Sequence, residues 1–279
     1  MYLVYRKIDI HEMFEVLKTA NFMWIFLGFL IYNASQLLSA KRMLQFLYAI
    51  GIKMNYRDNL ILYYIGMFYN LFLPGGLGGD GYKVYLLNRM FQKSVKRLVG
   101  ALLHDRLNGL FGLASLLALM LMLNVPEEFK THSILIIATI VLAVTGYFAA
   151  MRFLFKSFTH AAMPAYFLSL GIQGLQVVTA FCILTGLGLQ DQFLLYLQLF
   201  LISSIVSVIP ITLGGVGARE LVYVYGNLLF HIDKNLAVAF TLLFFLTSAL
   251  SSLIGVLPDT ERLKENIKLQ PSYISDFQQ

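Results

Sequence analysis

Charged side chains sit where two apolar stretches of the chain are interrupted by glycine and proline. The first interruption is Pro74-Gly75-Gly76-Leu77-Gly78-Gly79-Asp80-Gly81-Tyr82-Lys83, and the second is Pro210-Ile211-Thr212-Leu213-Gly214-Gly215-Val216-Gly217-Ala218-Arg219-Glu220. Both read P-x-x-L-G-G-x-G with a cation two residues on, related by a constant offset of 136 (74 to 210, 83 to 219). Glycines 75, 76, 78 and 79, and likewise Gly214, Gly215 and Gly217, let backbone N–H groups approach a ligand closely because no Cβ intervenes. Each stretch leads into a short apolar segment, so a helix N-terminus is predicted there, and free N–H groups at such an end attract anions. Lys83 and Arg219 fall in that first turn, where a phosphate would meet them. Asp80 and Glu220 are acids beside or within apolar sequence. An Asp at a membrane helix centre costs about 2.5–3.5 kcal/mol on insertion scales, which makes such acids candidates for function. A further pair, Asp105-Arg106, follows His104 near the start of a long apolar run. There Arg106 is placed to contact an anionic head group, with Asp105 to orient it.

A structural role stands beside this one. Pro74, Pro210 and the glycines would permit tight packing, with Asn70 as a further structural residue. Asp80–Lys83 and Arg219–Glu220 would be local ion pairs or caps, and Arg106 would snorkel to the interface.

The elements that must hold these groups are apolar helices. The 279-residue chain is 58% hydrophobic and 13% charged, where a soluble domain has about 25% charged residues. The apolar residues come in long runs, so the fold class is an all-α polytopic membrane protein. The formal net charge of +6 would point to nucleic acid in a soluble chain; here the cations lie between apolar runs and report orientation, so no nucleic-acid partner is expected. The single Cys182 excludes an intrachain disulfide and a cysteine metal cluster. The first residues carry three carboxylates and no apolar core, so they are not a signal peptide.

Five full spans are predicted, at about 21–40, 98–123, 133–150, 164–188 and 236–257. Residues 1–20 form a non-cytoplasmic N-terminal segment, with a short interfacial helix at His11 to Lys18, and 258–279 a cytoplasmic tail. The apolar segments around the glycine stretches are too short to cross, since a span needs about 20 residues. They are predicted as re-entrant hairpins, 59–91 and 193–230. Lys41-Arg42 then end the first span in the cytoplasm. Of the 21 cations, 14 fall on that side, including Lys41, Arg42, Lys53, Lys83 and Arg97, which satisfies the positive-inside rule. Residues 21–123 and 164–257 become two halves of an inverted-topology repeat, inverted by the linking span 133–150. In such repeats the broken segments face each other at the binding site, and irregular backbone at that depth implies a polar cavity.

Two motif matches are rejected. Gly76 to Gly81 fits G-x-G-x-x-G, but no strand precedes it and no βαβ unit surrounds it. Gly81-Tyr82-Lys83 is not Gly-Lys-Ser/Thr, so the phosphate loop of nucleotide hydrolases fails too. The five His show no metal-ligand spacing, and no nucleophile–base or paired-carboxylate arrangement can be argued. No metal and no cofactor are expected.

The motifs resemble the lysylphosphatidylglycerol synthase transmembrane-region family, also called flippase-like membrane proteins. The resemblance rests on Asn70 to Lys83 (N-x-x-L-P-G-x-x-G-G-D-x-x-R-like), on Asp105-Arg106-Leu107-Asn108-Gly109 (D/E-R-x-x-G-like), and on Pro210 to Glu220 (P-x-x-x-G-G-x-G-x-R-E-like). It covers nearly the whole chain. It implies a multi-pass protein of a bacterial-type inner membrane, linked to moving phospholipids or lipid-linked sugars across the bilayer. Lys83 stands where the family has Arg, which keeps the charge and loses bidentate geometry. The family pattern also has one more N-terminal span than is legible here. No soluble aminoacyl- or glycosyl-transferase domain is present, so the resemblance does not imply lipid synthesis by this chain.

The expected function is therefore a lipid translocase, reading as a transporter rather than an enzyme, with a membrane lipid or lipid-linked substrate. The alternatives are a membrane-embedded transferase using Asp80 or Glu220 as base, or a membrane subunit for a separate lipid-modifying enzyme. Association into a homo-oligomer is open.

Overall fold

The structure is a computed structural model that describes residues 16–73, 78–208 and 218–257. Among them are nine α-helices and no strand. They are α1 (Phe22–Ala49), α2 (Tyr56–Phe72), α3 (Gly78–Phe91), α4 (Val95–Leu123), α5 (Ser133–Phe153), α6 (Thr159–Gly186), α7 (Phe193–Ser207), α8 (Ala218–Phe230) and α9 (Lys234–Leu253). Short 3-10 turns precede α5 and α6 and follow α9. An all-helical solution is what apolar sequence in a bilayer demands, because a helix satisfies its backbone groups internally.

Among the described residues five helical segments are long and apolar enough to cross a membrane: Phe22–Ala49, Val95–Leu123, Lys130–Phe153, Lys156–Gly186 and Lys234–Val256. They match the five spans read from the sequence. Their outward faces carry exposed apolar residues such as Ile134, Leu142, Phe167 and Leu250, as a lipid-facing surface requires. α5 is the most peripheral span, with Tyr147 and Met151 among its few buried residues. The other four helices have 13 to 17 residues.

Boundaries shift in three places, each for a physical reason. The first span does not stop at Ala40. α1 runs on to Ala49, and Arg42 is not a loop charge but is buried in the bundle. Its charge is neutralised internally, so it does not mark a membrane boundary. Lys83, also counted as a cytoplasmic cation, is buried as well. α6 starts at Thr159 and carries Pro164 inside it, which membrane helices tolerate because neighbouring groups re-satisfy the freed backbone. α3 begins at Gly78, so Gly78, Gly79, Asp80 and Gly81 are helical rather than part of an irregular loop.

Two hydrophobic clusters form the core, at opposite ends of the three long helices α1, α4 and α6. One joins Met43 to Ile50 of α1, Leu98 to Leu102 of α4 and Ala161 to Ala165 of α6 with α2 and α3. The other joins Tyr32 of α1, Leu113 to Leu121 of α4 and Val177 to Leu187 with α7, α8 and α9. α1 and α6 pack most extensively. Their approach is close at Gly28, where an added Cβ would lie 3.3 Å from Cys182 Cβ and from the Thr179 carbonyl oxygen; small residues at such crossings are the usual device of membrane helices. α4 packs on α7, and α9 packs on α2.

Candidate functional site

Polar side chains collect between the two apolar clusters. α1 carries Ser35, Gln36, Ser39 and Arg42, all buried, at helical spacing along one face. Arg42 Nε donates to Asp105 Oδ1 at 2.8 Å, and Nη2 donates to Asp105 Oδ2 at 3.3 Å. This is a two-pronged guanidinium–carboxylate pair, the geometry that Arg adds over Lys. Arg42 Nη1 donates to Ser169 Oγ at 3.0 Å, and Ser169 Oγ donates to Asn108 Oδ1 at 2.7 Å. Asn108 Nδ2 in turn donates to the Tyr147 hydroxyl and to the Ala162 carbonyl, at 3.2 and 3.1 Å. One connected network thus ties α1, α4, α5 and α6. A buried ion pair is tolerable when further hydrogen bonds support it, as the Ser169 hydroxyl does for Arg42 here.

The network explains the spacing of the Asp105-Arg106-Leu107-Asn108-Gly109 stretch. Asp105 and Asn108 share a face of α4 one turn apart. Gly109 makes room for the arginine: a Cβ there would lie 2.7 Å from Arg42 Nη1. Asp105 therefore does not orient its neighbour Arg106. Successive residues of a helix point about 100° apart, so Asp105 turns to α1 and Arg106 turns to α3.

There Arg106 Nε donates to Asp80 Oδ2, and Lys83 Nζ lies 2.6 Å from Asp80 Oδ1. One carboxylate is shared by two cations from two helices. Asp80 and Lys83, three residues apart, form the local ion pair allowed for from the sequence. Lys83 is walled by Met43, whose Sδ is 3.6 Å from Nζ, and by the Tyr63 ring at 5.5 Å. Its stem lies against Gly66, where a Cβ would come within 2.8 Å of Cε. Side-chain exposure rises along the trio, from 7% for Lys83 through 15% for Asp80 to 29% for Arg106. The most accessible cation is the one contributed by α4.

Asn70 holds the start of α3. Its Oδ1 accepts from Gly79 N at 2.8 Å, capping one of the free N–H groups of that turn. A Cβ on Gly79 would collide with the Gly66 carbonyl oxygen, so this glycine sets the close approach of α2 and α3. Its N–H is spent on Asn70 rather than open to a ligand. Gly81 has open space around it. Pro74, Gly75 and Gly76 lie outside the described residues, as do Pro210, Gly214, Gly215 and Gly217.

Arg219 and Glu220 occupy the first turn of α8. The Arg219 guanidinium lies over the Phe244 ring at 4.8 Å and the Phe200 ring at 6.0 Å. The structure thus brings Asp80, Lys83 and Arg106 together, with Asp105 beside them on a separate network. The contacts of the described residues do not join Lys83 to Arg219. Sequence reasoning missed Arg42, Ser169 and Tyr147 as partners. The polar stripe Ser35, Ser39 and Arg42 within an apolar run was the available signal for Arg42.

No curated protein matches the chain. A family model does: that of the lysylphosphatidylglycerol synthase TM region matches residues 1–255. With five helices among the described residues long and apolar enough to cross a membrane, a helical fold throughout those residues and nearly the whole chain matched, the protein belongs to the lysylphosphatidylglycerol synthase transmembrane region family and is a multi-pass membrane protein.

Proposed function

We propose that this chain is a lipid translocase, moving a phospholipid or lipid-linked head group across the bilayer. The observation that carries the proposal is the Asp80 carboxylate held between Lys83 and Arg106, packed among apolar helices. Ionised groups there are costly and mark substrate pathways. A head-group phosphate would take its hydrogen bonds from Arg106 and Lys83, and Arg219 would supply a second station in the other half.

The inverted repeat belongs to this proposal. In it, α2–α3 and α7–α8 are re-entrant hairpins within halves 21–123 and 164–257. Their packing into opposite apolar clusters supports that reading, as does the exchange of contacts by which α4 meets α7 while α9 meets α2. The N-terminus then lies outside and the C-terminus in the cytoplasm, the orientation favoured by the remaining flanking cations.

The experiment is lipid flipping in proteoliposomes of the purified chain, with anionic and glycosylated lipids. Arg106→Gln and Lys83→Met each remove a charge-assisted hydrogen-bond donor, worth about 1.5–3 kcal/mol, so flipping falls by about tenfold or more. Arg219→Ala lowers it as well. Unchanged flipping in all three folded variants removes these residues from the pathway.

A further inference from the structure

A cleft lies where α1 ends and α2 begins. α1 stops at a Schellman turn: Gly51 takes a φ of +78°, its N–H donates to the Tyr48 carbonyl at 2.9 Å, and the Ile52 N–H donates to the Leu47 carbonyl at 3.0 Å. The chain then passes through Lys53, Met54 and Asn55 to reach α2 at Tyr56. This turn leaves a cavity of about 400 Å³ lined by Tyr48, Gly51, Lys53, Met54 and Asn55, a size that suits a small ligand. The Tyr48 hydroxyl fixes one wall by donating to the Met54 carbonyl at 3.0 Å. Lys93, from the link between α3 and α4, reaches the same place: its Nζ lies 3.5 Å from where a Cβ on Gly51 would stand. Asp80, Lys83 and Arg106 are not among the lining residues.

Two lysines from different links of the chain thus converge on one cleft. Orientation in the membrane explains why cations flank these spans, but it does not require two of them to meet. The acid of the first turn of α2, Asp58, is buried and does not line the cleft. Asn55 makes no cap hydrogen bond with its side chain, so its amide can donate to a ligand. The Tyr48 ring and Met54 give the cleft an apolar wall beside these polar groups. Tyr48 and Tyr56 are both exposed here, and tyrosine is enriched at the boundary between membrane and water. We propose that this cleft binds the head group of an anionic phospholipid, with Lys53 and Lys93 on the phosphate and the start of the acyl chains against Tyr48. Basic pockets at the ends of membrane helices take such head groups. The apolar wall selects a lipid over a soluble anion, and the paired cations select against a head group that carries its own positive charge. This site goes beyond the translocase reading and does not depend on it.

The test uses the full-length protein in an uncharged detergent, with phosphatidylglycerol added in small molar excess. An amine-reactive reagent acylates accessible lysines, and peptide mass spectrometry reads each position. In wild type, phosphatidylglycerol slows labelling of Lys53 and Lys93 severalfold and leaves the exposed Lys96 unchanged; this readout needs no variant to fold. Native mass spectrometry then counts bound lipid. Lys53→Gln combined with Lys93→Gln holds about one phosphatidylglycerol fewer per chain, because each lost charge-assisted contact weakens the site by about tenfold or more. Lys53→Arg combined with Lys93→Arg keeps the lipid. Lys96→Gln combined with Arg97→Gln removes the same charge outside the cleft and keeps it too. Equal labelling of Lys53 and Lys93 with and without phosphatidylglycerol overturns the proposal, as does equal protection by phosphatidylcholine. Protection by glycerophosphoglycerol, the same head group without acyl chains, at the lipid concentration overturns it also, because the site then takes a soluble anion. Loss of the lipid in Lys96→Gln with Arg97→Gln, to the same extent as in the cleft variant, would show general attraction to a basic surface and sink the site.

Discussion

Lys83 and Arg219 stand at matching positions of the two glycine stretches, and the fold treats them differently. Lys83 is held by a carboxylate, 2.6 Å from Asp80, which also holds Arg106 of α4. Arg219 lies over the faces of Phe244 and Phe200. The first setting is ionic: its geometry is fixed by charge, and a phosphate bound there as proposed would compete with an internal anion. The second is largely aromatic: a ring face attracts a cation by its quadrupole, and the adjacent Glu220 carboxylate acts on the same guanidinium electrostatically. A repeated sequence thus gives two cation sites of different character.

The comparison breaks most severely where the ionic half is disrupted. Arg42→Met strands Asp105 among α1, α4 and α6, and such a loss costs about 3–5 kcal/mol. An unfolding titration in mixed detergent micelles measures it, and Arg42→Met combined with Asp105→Leu recovers most of the stability, because removing both charges leaves nothing uncompensated. Equal destabilisation of the single and double variants would show that packing, not charge, holds this region. A smaller effect is expected at the contact of α2 and α3. Gly79→Ala drives a methyl into the Gly66 carbonyl and costs about 1–3 kcal/mol as overpacking.

In the aromatic half, Phe244→Leu keeps an apolar side chain but removes the ring under Arg219. The expected loss is about 0.5–2 kcal/mol, read in the same titration. In an Arg219→Leu background only the packing cost of Phe244 against Tyr32 and Phe200 should remain, so the difference between the two backgrounds isolates the cation–ring contact. The smallest change is Gly81→Ala. Nothing lies near its added methyl, and it replaces a poor helix former with a good one, so stability rises by about 0.5 kcal/mol or stays level. The contrast between residues 79 and 81, two apart in one glycine run, tests whether these glycines serve packing.

Much of the fold could be read from the chain because a bilayer admits few solutions. Long apolar runs identified the five spans, and the short runs at α2, α3, α7 and α8 were separable by length alone. The errors arose where a polar residue had two meanings. Lys41 and Arg42 look alike as the flank of a span. Lys41 is exposed, while Arg42 is buried against Asp105, 63 positions away. Asp105 and Arg106 look like a pair because they are adjacent, yet each faces a different helix. The glycine runs looked like open anion cradles. In the described part of the first run, Gly79 serves close packing and gives its N–H to Asn70.

The sequence by itself determined the helical class, the membrane setting, the five apolar segments long enough to span and the residues that carry charge, because these follow from apolar run length and local backbone chemistry. Only the tertiary structure decided which charge answers which: Arg42 with Asp105, Lys83 and Arg106 on Asp80, Arg219 on aromatic rings. Partner choice depends on how each helix is rotated about its axis. That rotation is set by contacts summed over the whole bundle, and no local stretch of sequence contains it.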